Sequence, residues 1–128
     1  MLAYLWIALG GALGSVARYA GSNLVASWWG EAFPWGTILV NVTGSFVIGL
    51  FSALTGPDGP APASDSLRQF VMIGVCGGYT TFSSFSLQTL TLLRQGHAMA
   101  AGANVLISLA ACLAAVALGY LCAVALGR

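Results

Sequence analysis

An all-α membrane protein of four spanning helices, the third of them broken, is the fold that three observations predict for this sequence. First, of 128 residues 59% are hydrophobic and only 5% are charged, with a mean hydropathy of +0.91. A soluble domain carries about a quarter charged residues, so the ordinary globular class is excluded. Second, four apolar runs, about 2–28, 35–54, 67–93 and 98–126, make one domain over residues 1–128. Each reaches the roughly 20 residues that a helix needs to cross a bilayer. Third, the stretch Gly74 to Ser86, GVCGGYTTFSSFS, sets three glycines and five serines and threonines inside the third run. Glycine forfeits the most backbone entropy in a helix, so a break is predicted near Gly77–Thr80. At membrane depth a break is tolerated only where its freed groups are buried in protein or line a polar cavity. The break is therefore a candidate ion or substrate site.

The linkers are short: 29–34, 55–66 and 94–97, the middle one carrying three prolines and two glycines. In the first span Gly10 and Gly14 form a GxxxG spacing, repeated one step on by Gly11 and Ser15. Small residues let membrane helices approach closely, either within the chain or across a subunit interface. Arg18 lies about 24 Å of helical rise from the start of this span. It either snorkels to the far interface or lines the vestibule of an anion.

In the second span Thr37, Asn41 and Ser45 recur every fourth residue and share one face. An unpaired amide in hydrocarbon is costly, so Asn41 either bonds a neighbouring helix or serves a pathway. The fourth span carries a matching line of Asn104, Ser108 and Cys112. Two polar stripes beside a broken helix read as a route through the membrane. In the third span Phe82 and Phe85 are three apart, and core packing is the plainer reading of such a pair. The other reading uses the positive edge of the aromatic ring, which can approach a small anion without a fixed charge. Ser83, Ser84 and Ser86 add hydroxyl donors along the same turn.

Glu31, Asp58 and Asp65 all fall in linkers. A proton-coupled exporter or a carboxylate-ringed cation channel needs an acid inside the membrane. The lone histidine, His97, is in the last linker, and no positioned base accompanies the serines, so an enzyme has little support. Cys76, Cys112 and Cys122 lie in apolar runs and read as free thiols. A net charge of +1 gives no footprint for nucleic acid. The polar groups left inside the bilayer are amides, hydroxyls, carbonyls and one arginine, which suit an anion.

Four spans put Arg68 and Arg128 on one side, with Arg94 and a snorkelling Arg18 on the other. Two against two gives the positive-inside rule nothing to act on, so the chain can insert both ways. Two opposed copies could then pair about an axis in the membrane plane, as inverted repeats do in one chain. A subunit of 13.1 kDa has little bulk to enclose a pore alone, and an antiparallel homodimer is expected.

GALGSVARY in the first span, GTILVNVTGSFVIG in the second and GVCGGYTTFSSFS in the third resemble the Fluc, or CrcB, family of fluoride channels. The likeness covers all four spans, and the GGxTTFSxF element is specific. It implies an antiparallel, dual-topology homodimer with two fluoride pathways, in the bacterial plasma membrane, with membrane lipid around it. It implies a structural sodium ion at the dimer centre, held by backbone carbonyls of Gly77 and Thr80. Phe82 and Phe85 would contact fluoride, with Asn41 as the pore amide and Ser84 among the hydroxyls. Ser108 and Cys112 would form the track of the fourth span, and Arg18 would stand at the wide vestibule. Two positions depart from the pattern: Asn104 stands where an aromatic or histidine is expected, and Cys112 where a hydroxyl is more usual. The expected function is a passive fluoride channel relieving fluoride toxicity. The alternatives are a small dual-topology drug or cation exporter, which the missing membrane carboxylate disfavours, and a non-conducting membrane scaffold.

Overall fold

The computed structural model describes residues 2–127, and among them all regular structure is helical. Helix α1 covers Leu2–Trp29 and α2 covers Trp35–Thr55. Helix α3 runs from 65 to 79: an α-helical turn, Asp65–Arg68, a wider π-wound stretch, Gln69–Cys76, and a last turn, Gly77–Tyr79. After two extended residues come α4, Phe82–Arg94, and α5, Ala98–Leu126. Three stretches are long and apolar enough to cross a membrane: Trp35–Thr55, Asp65–Arg94 taken across the break, and Ala98–Leu126. Their mean hydropathies are 1.8, 1.3 and 2.4. Helix α1 has the length, 28 residues, but its glycines and serines, with Arg18 and Asn23, leave it less apolar. Three of the four expected spans therefore combine length with apolarity.

Local chemistry sets the ends of these helices. Gly30 (φ +76°) and Gly96 (φ +82°) adopt the left-handed backbone that ends α1 and α4. At Gly96 the closing bonds are Gly96 N–H to Leu93 O, 3.0 Å, and His97 N–H to Leu92 O, 2.9 Å. The proline-rich linker is strapped to the end of α2 by Ala61 N–H to Leu54 O and Ala63 N–H to Thr55 O. The Ser64 hydroxyl accepts Leu67 N–H at 3.3 Å and starts α3 at Asp65, two residues before the expected 67. Asp65, expected in a linker, is thus the first residue of the helix. Arg68 fastens this end to α2 by donating to Thr55 Oγ1 at 2.8 Å.

Helix α2 packs chiefly on α5, and α1 on α3. Backbone approach makes both seams. A Cβ at Gly14 would meet Val75 O and stand 2.8 Å from Tyr79 N, and one at Gly74 would stand 2.9 Å from Gly10 Cα. A Cβ at Gly78 would lie 2.6 Å from Gly11 O. The GxxxG pattern of the first span therefore serves packing within the chain. Gly49 and Gly119 do the same for α2 and α5, where a Cβ would collide with Val116 O and Phe46 O respectively. Outward, large apolar side chains such as Val16, Leu106, Leu113 and Leu121 are exposed, as on helices bathed in lipid. Trp29, Phe33 and Trp35 cluster at the α1–α2 turn, with ring centroids 4.8 Å apart for Phe33–Trp35 and 5.8 Å for Trp29–Trp35. Such amphipathic rings belong at a membrane interface.

Candidate functional site

The break falls at Thr80 (φ −82°, ψ 158°) and Thr81 (φ −153°, ψ 112°), at the far end of the expected 77–80 and two residues beyond the glycine pair. Gly77 itself is helical (φ −65°, ψ −37°). Gly78 serves approach to α1 instead, while a Cβ at Gly77 would meet only Met72 O at 3.8 Å, and two adjacent β-branched threonines favour the extended backbone. Gly44 of α2 makes room for the turn, since a Cβ there would collide with the Thr80 methyl. Thr81 then caps α4, its Oγ1 accepting Ser84 N–H at 3.1 Å. That cap is a role the sequence reading missed, though the Thr81–Ser84 spacing carries its signal.

Asn41 holds the break from α2. Its Nδ2 donates to Thr81 O at 3.0 Å, and its Oδ1 accepts Thr81 N–H at 2.7 Å. One amide thus satisfies both backbone groups of the residue at which the ladder is interrupted. The consequence falls one turn earlier. Thr81 N–H, which would bond Gly77 O in a continuous helix, is taken, so the Gly77 carbonyl is released. Arg18 Nη1, from α1, donates to Thr80 O at 3.3 Å. Arg18 is half-buried and backs the break, and it is not among the residues that line the cleft.

In front of the break lies an open cleft of about 300 Å³. Asn41 and Ser45 line it from α2, Cys76, Gly77 and Thr80 from α3 and the break, Phe82 and Phe85 from α4, and Ser108 and Cys112 from α5. The two phenylalanine rings are 5.2 Å apart and tilted by 50°. Phe85 is buried, while Phe82 is 74% exposed at the cleft's edge. Two members of each expected polar stripe meet here, Asn41 with Ser45 and Ser108 with Cys112, while Thr37 and Asn104 do not line the cleft. Ser84 is turned to the cap instead, accepting a bond from the Thr81 hydroxyl at 3.1 Å. Asn104 is 1% exposed and lies behind the cleft. Its Nδ2 donates to Thr89 Oγ1 at 2.9 Å, and its Oδ1 accepts the Ser108 hydroxyl at 3.3 Å. Thr89, a member the sequence reading missed, donates onward to Phe85 O at 2.8 Å.

The chemistry of a hard cation can be set against the break. Such ions take oxygen ligands. Among the described residues no three His, Cys, Asp or Glu side chains gather, and the oxygens at the break are those of backbone carbonyls and hydroxyls. The released Gly77 carbonyl, on an exposed residue, fits that need. The Thr80 carbonyl fits it with the lone pair that Arg18 leaves.

Residues 5–120 match the family model described as "CrcB-like protein, Camphor Resistance (CrcB)". The chain is 61% identical over 126 residues to the "Fluoride-specific ion channel FluC" of Opitutus terrae, covering 98% of this chain and 96% of that one. It is 55% identical to the protein of that name from Methylocella silvestris, over 98% and 95% of the two chains. For the one from Rhodospirillum rubrum the figures are 56%, 96% and 95%. On the extent of these matches, which run through all five helices and the break, the chain belongs to the CrcB family.

Proposed function

We propose that this chain is a multi-pass protein of the bacterial plasma membrane and forms a fluoride-selective passive channel, through which cytoplasmic fluoride leaves down its gradient. The observation that carries this reading is the composition of the cleft: aromatic rings, hydroxyls, two thiols and an amide converge on a helix break, with no carboxylate among the lining residues. A narrow path of that kind replaces an anion's water with neutral donors and positive ring edges, without a fixed charge to trap it. Phe82 and Phe85 supply the ring edges, and Ser108 and Cys112 continue the path along α5. Asn41 acts chiefly by holding the break in shape, since both ends of its amide are engaged by Thr81. The names of the relatives support the same ion.

Helix α1 is taken as the fourth span, and the working unit as an antiparallel homodimer. The open side of the cleft and the exposure of Phe82 are supports for a second copy, as is the even split of arginines. In that unit Gly77 and Thr80 of each copy would hold a sodium ion, which would supply positive charge to tie the two breaks together.

The test is efflux from liposomes, followed by fluoride and chloride electrodes, with sodium present or replaced by an organic cation. Fluoride release without chloride release, weakened when sodium is removed throughout preparation, is expected. Vesicles that retain fluoride as empty ones do would overturn the reading.

A further inference from the structure

The buried chain behind the cleft has a direction. Phe85 O can only accept, so the Thr89 hydroxyl spends its proton there, at 2.8 Å. Thr89 Oγ1 then has only lone pairs to offer Asn104, which must present Nδ2–H to it, at 2.9 Å. That orientation turns Asn104 Oδ1 toward Ser108, whose single proton goes to it at 3.3 Å. Ser108 lines the cleft, yet at rest it shows the cleft lone pairs and no proton. Nothing about Ser108 itself dictates this. It is imposed from Phe85 O through two side chains, and Asn104, 1% exposed, has no water with which to turn over.

We propose that Asn104 and Thr89 are positioning residues that hold the Ser108 proton away from the pathway, and so set how weakly an anion is held there. An anion reaching Ser108 must take its proton from Asn104, exchanging one hydrogen bond for another. This rests on the reading of the cleft as a fluoride path.

The test is a set of variants in which the half-saturating fluoride concentration for efflux from liposomes is measured. Thr89→Val keeps the shape and removes the acceptor. The Asn104 amide is then free to turn Nδ2–H toward Ser108, whose proton is released to the cleft. The half-saturating concentration should fall about fivefold, the equivalent of one ordinary hydrogen bond. Asn104→Leu, which removes the acceptor of the Ser108 proton, should move it in the same direction and carries the test if Thr89→Val does not fold. Thr89→Ser, which keeps the hydroxyl, should restore the original value. In a Ser108→Ala background neither Thr89→Val nor Asn104→Leu should have an effect. A merely structural role predicts equal changes in both backgrounds, and that result, an unchanged value or a rise would overturn the proposal. Wild-type protein that passes no fluoride would overturn the channel reading itself, and so is told apart from failure of this inference.

Discussion

Asn41 on α2 and Asn104 on α5 are both amides carried into an apolar bundle, and both have each end hydrogen-bonded, but to different kinds of partner. Asn41 binds backbone, the N–H and C=O of Thr81. Asn104 binds side chains, the hydroxyls of Thr89 and Ser108. A backbone group in a helix break has no second choice of partner, whereas a serine or threonine hydroxyl can rotate to another one. The first amide is therefore part of the fold. The second is an adjustable element laid over it.

The largest expected effect comes from removing the first. Asn41→Ala leaves two groups of Thr81 without partners, at about 1–3 kcal/mol each. Denaturant unfolding in detergent should show most of the stability of the α2–α4 region lost, or no folded protein recovered. Asn104→Ala should cost only about 1–2 kcal/mol in the same measurement, since Thr89 keeps its bond to Phe85 O and the Ser108 hydroxyl can turn to the cleft it lines. Equal costs for the two would break the comparison. The smallest effect belongs to the contact that α1 makes with the break. Arg18→Gln, which loses a 3.3 Å bond at a half-buried position, should change stability by less than about 1 kcal/mol. If Arg18→Gln unfolds the protein instead, the break is held from α1 as much as from α2.

The helices were legible because apolar runs of spanning length have few other uses, and the turns because Gly30, Gly96 and the proline-rich linker punctuate them. The existence of a break in the third run was legible too, and its place nearly so, since it falls at Thr80 and Thr81, the far end of the expected 77–80, and not at the glycines. Gly77 and Gly78 signal weak helix, yet Gly78 serves close approach to Gly11, and that depends on a helix more than 60 residues away in sequence. The extended residues are the threonines that follow, and Thr81 with Ser84 gave a local capping signal for them. An apolar bundle requires Asn41 to find a partner, but its choice of Thr81, 40 residues on, is fixed only by packing. The same holds for Asn104 and Thr89, which meet across the α4–α5 turn. Spacing placed Asn104 on the face of Ser108 and Cys112, while packing turned its side chain behind the cleft rather than into it.

The central claim is that the anion passes along the rings at the break. Phe82, 74% exposed at the cleft's edge, can be altered with little demand on the fold. The deciding measurement is fluoride-electrode efflux from liposomes carrying Phe82→Ile, matched for protein recovered and for elution volume with the wild type. Fluoride retained by these vesicles, while wild-type vesicles empty, is the predicted result. Release at the wild-type rate would contradict the account.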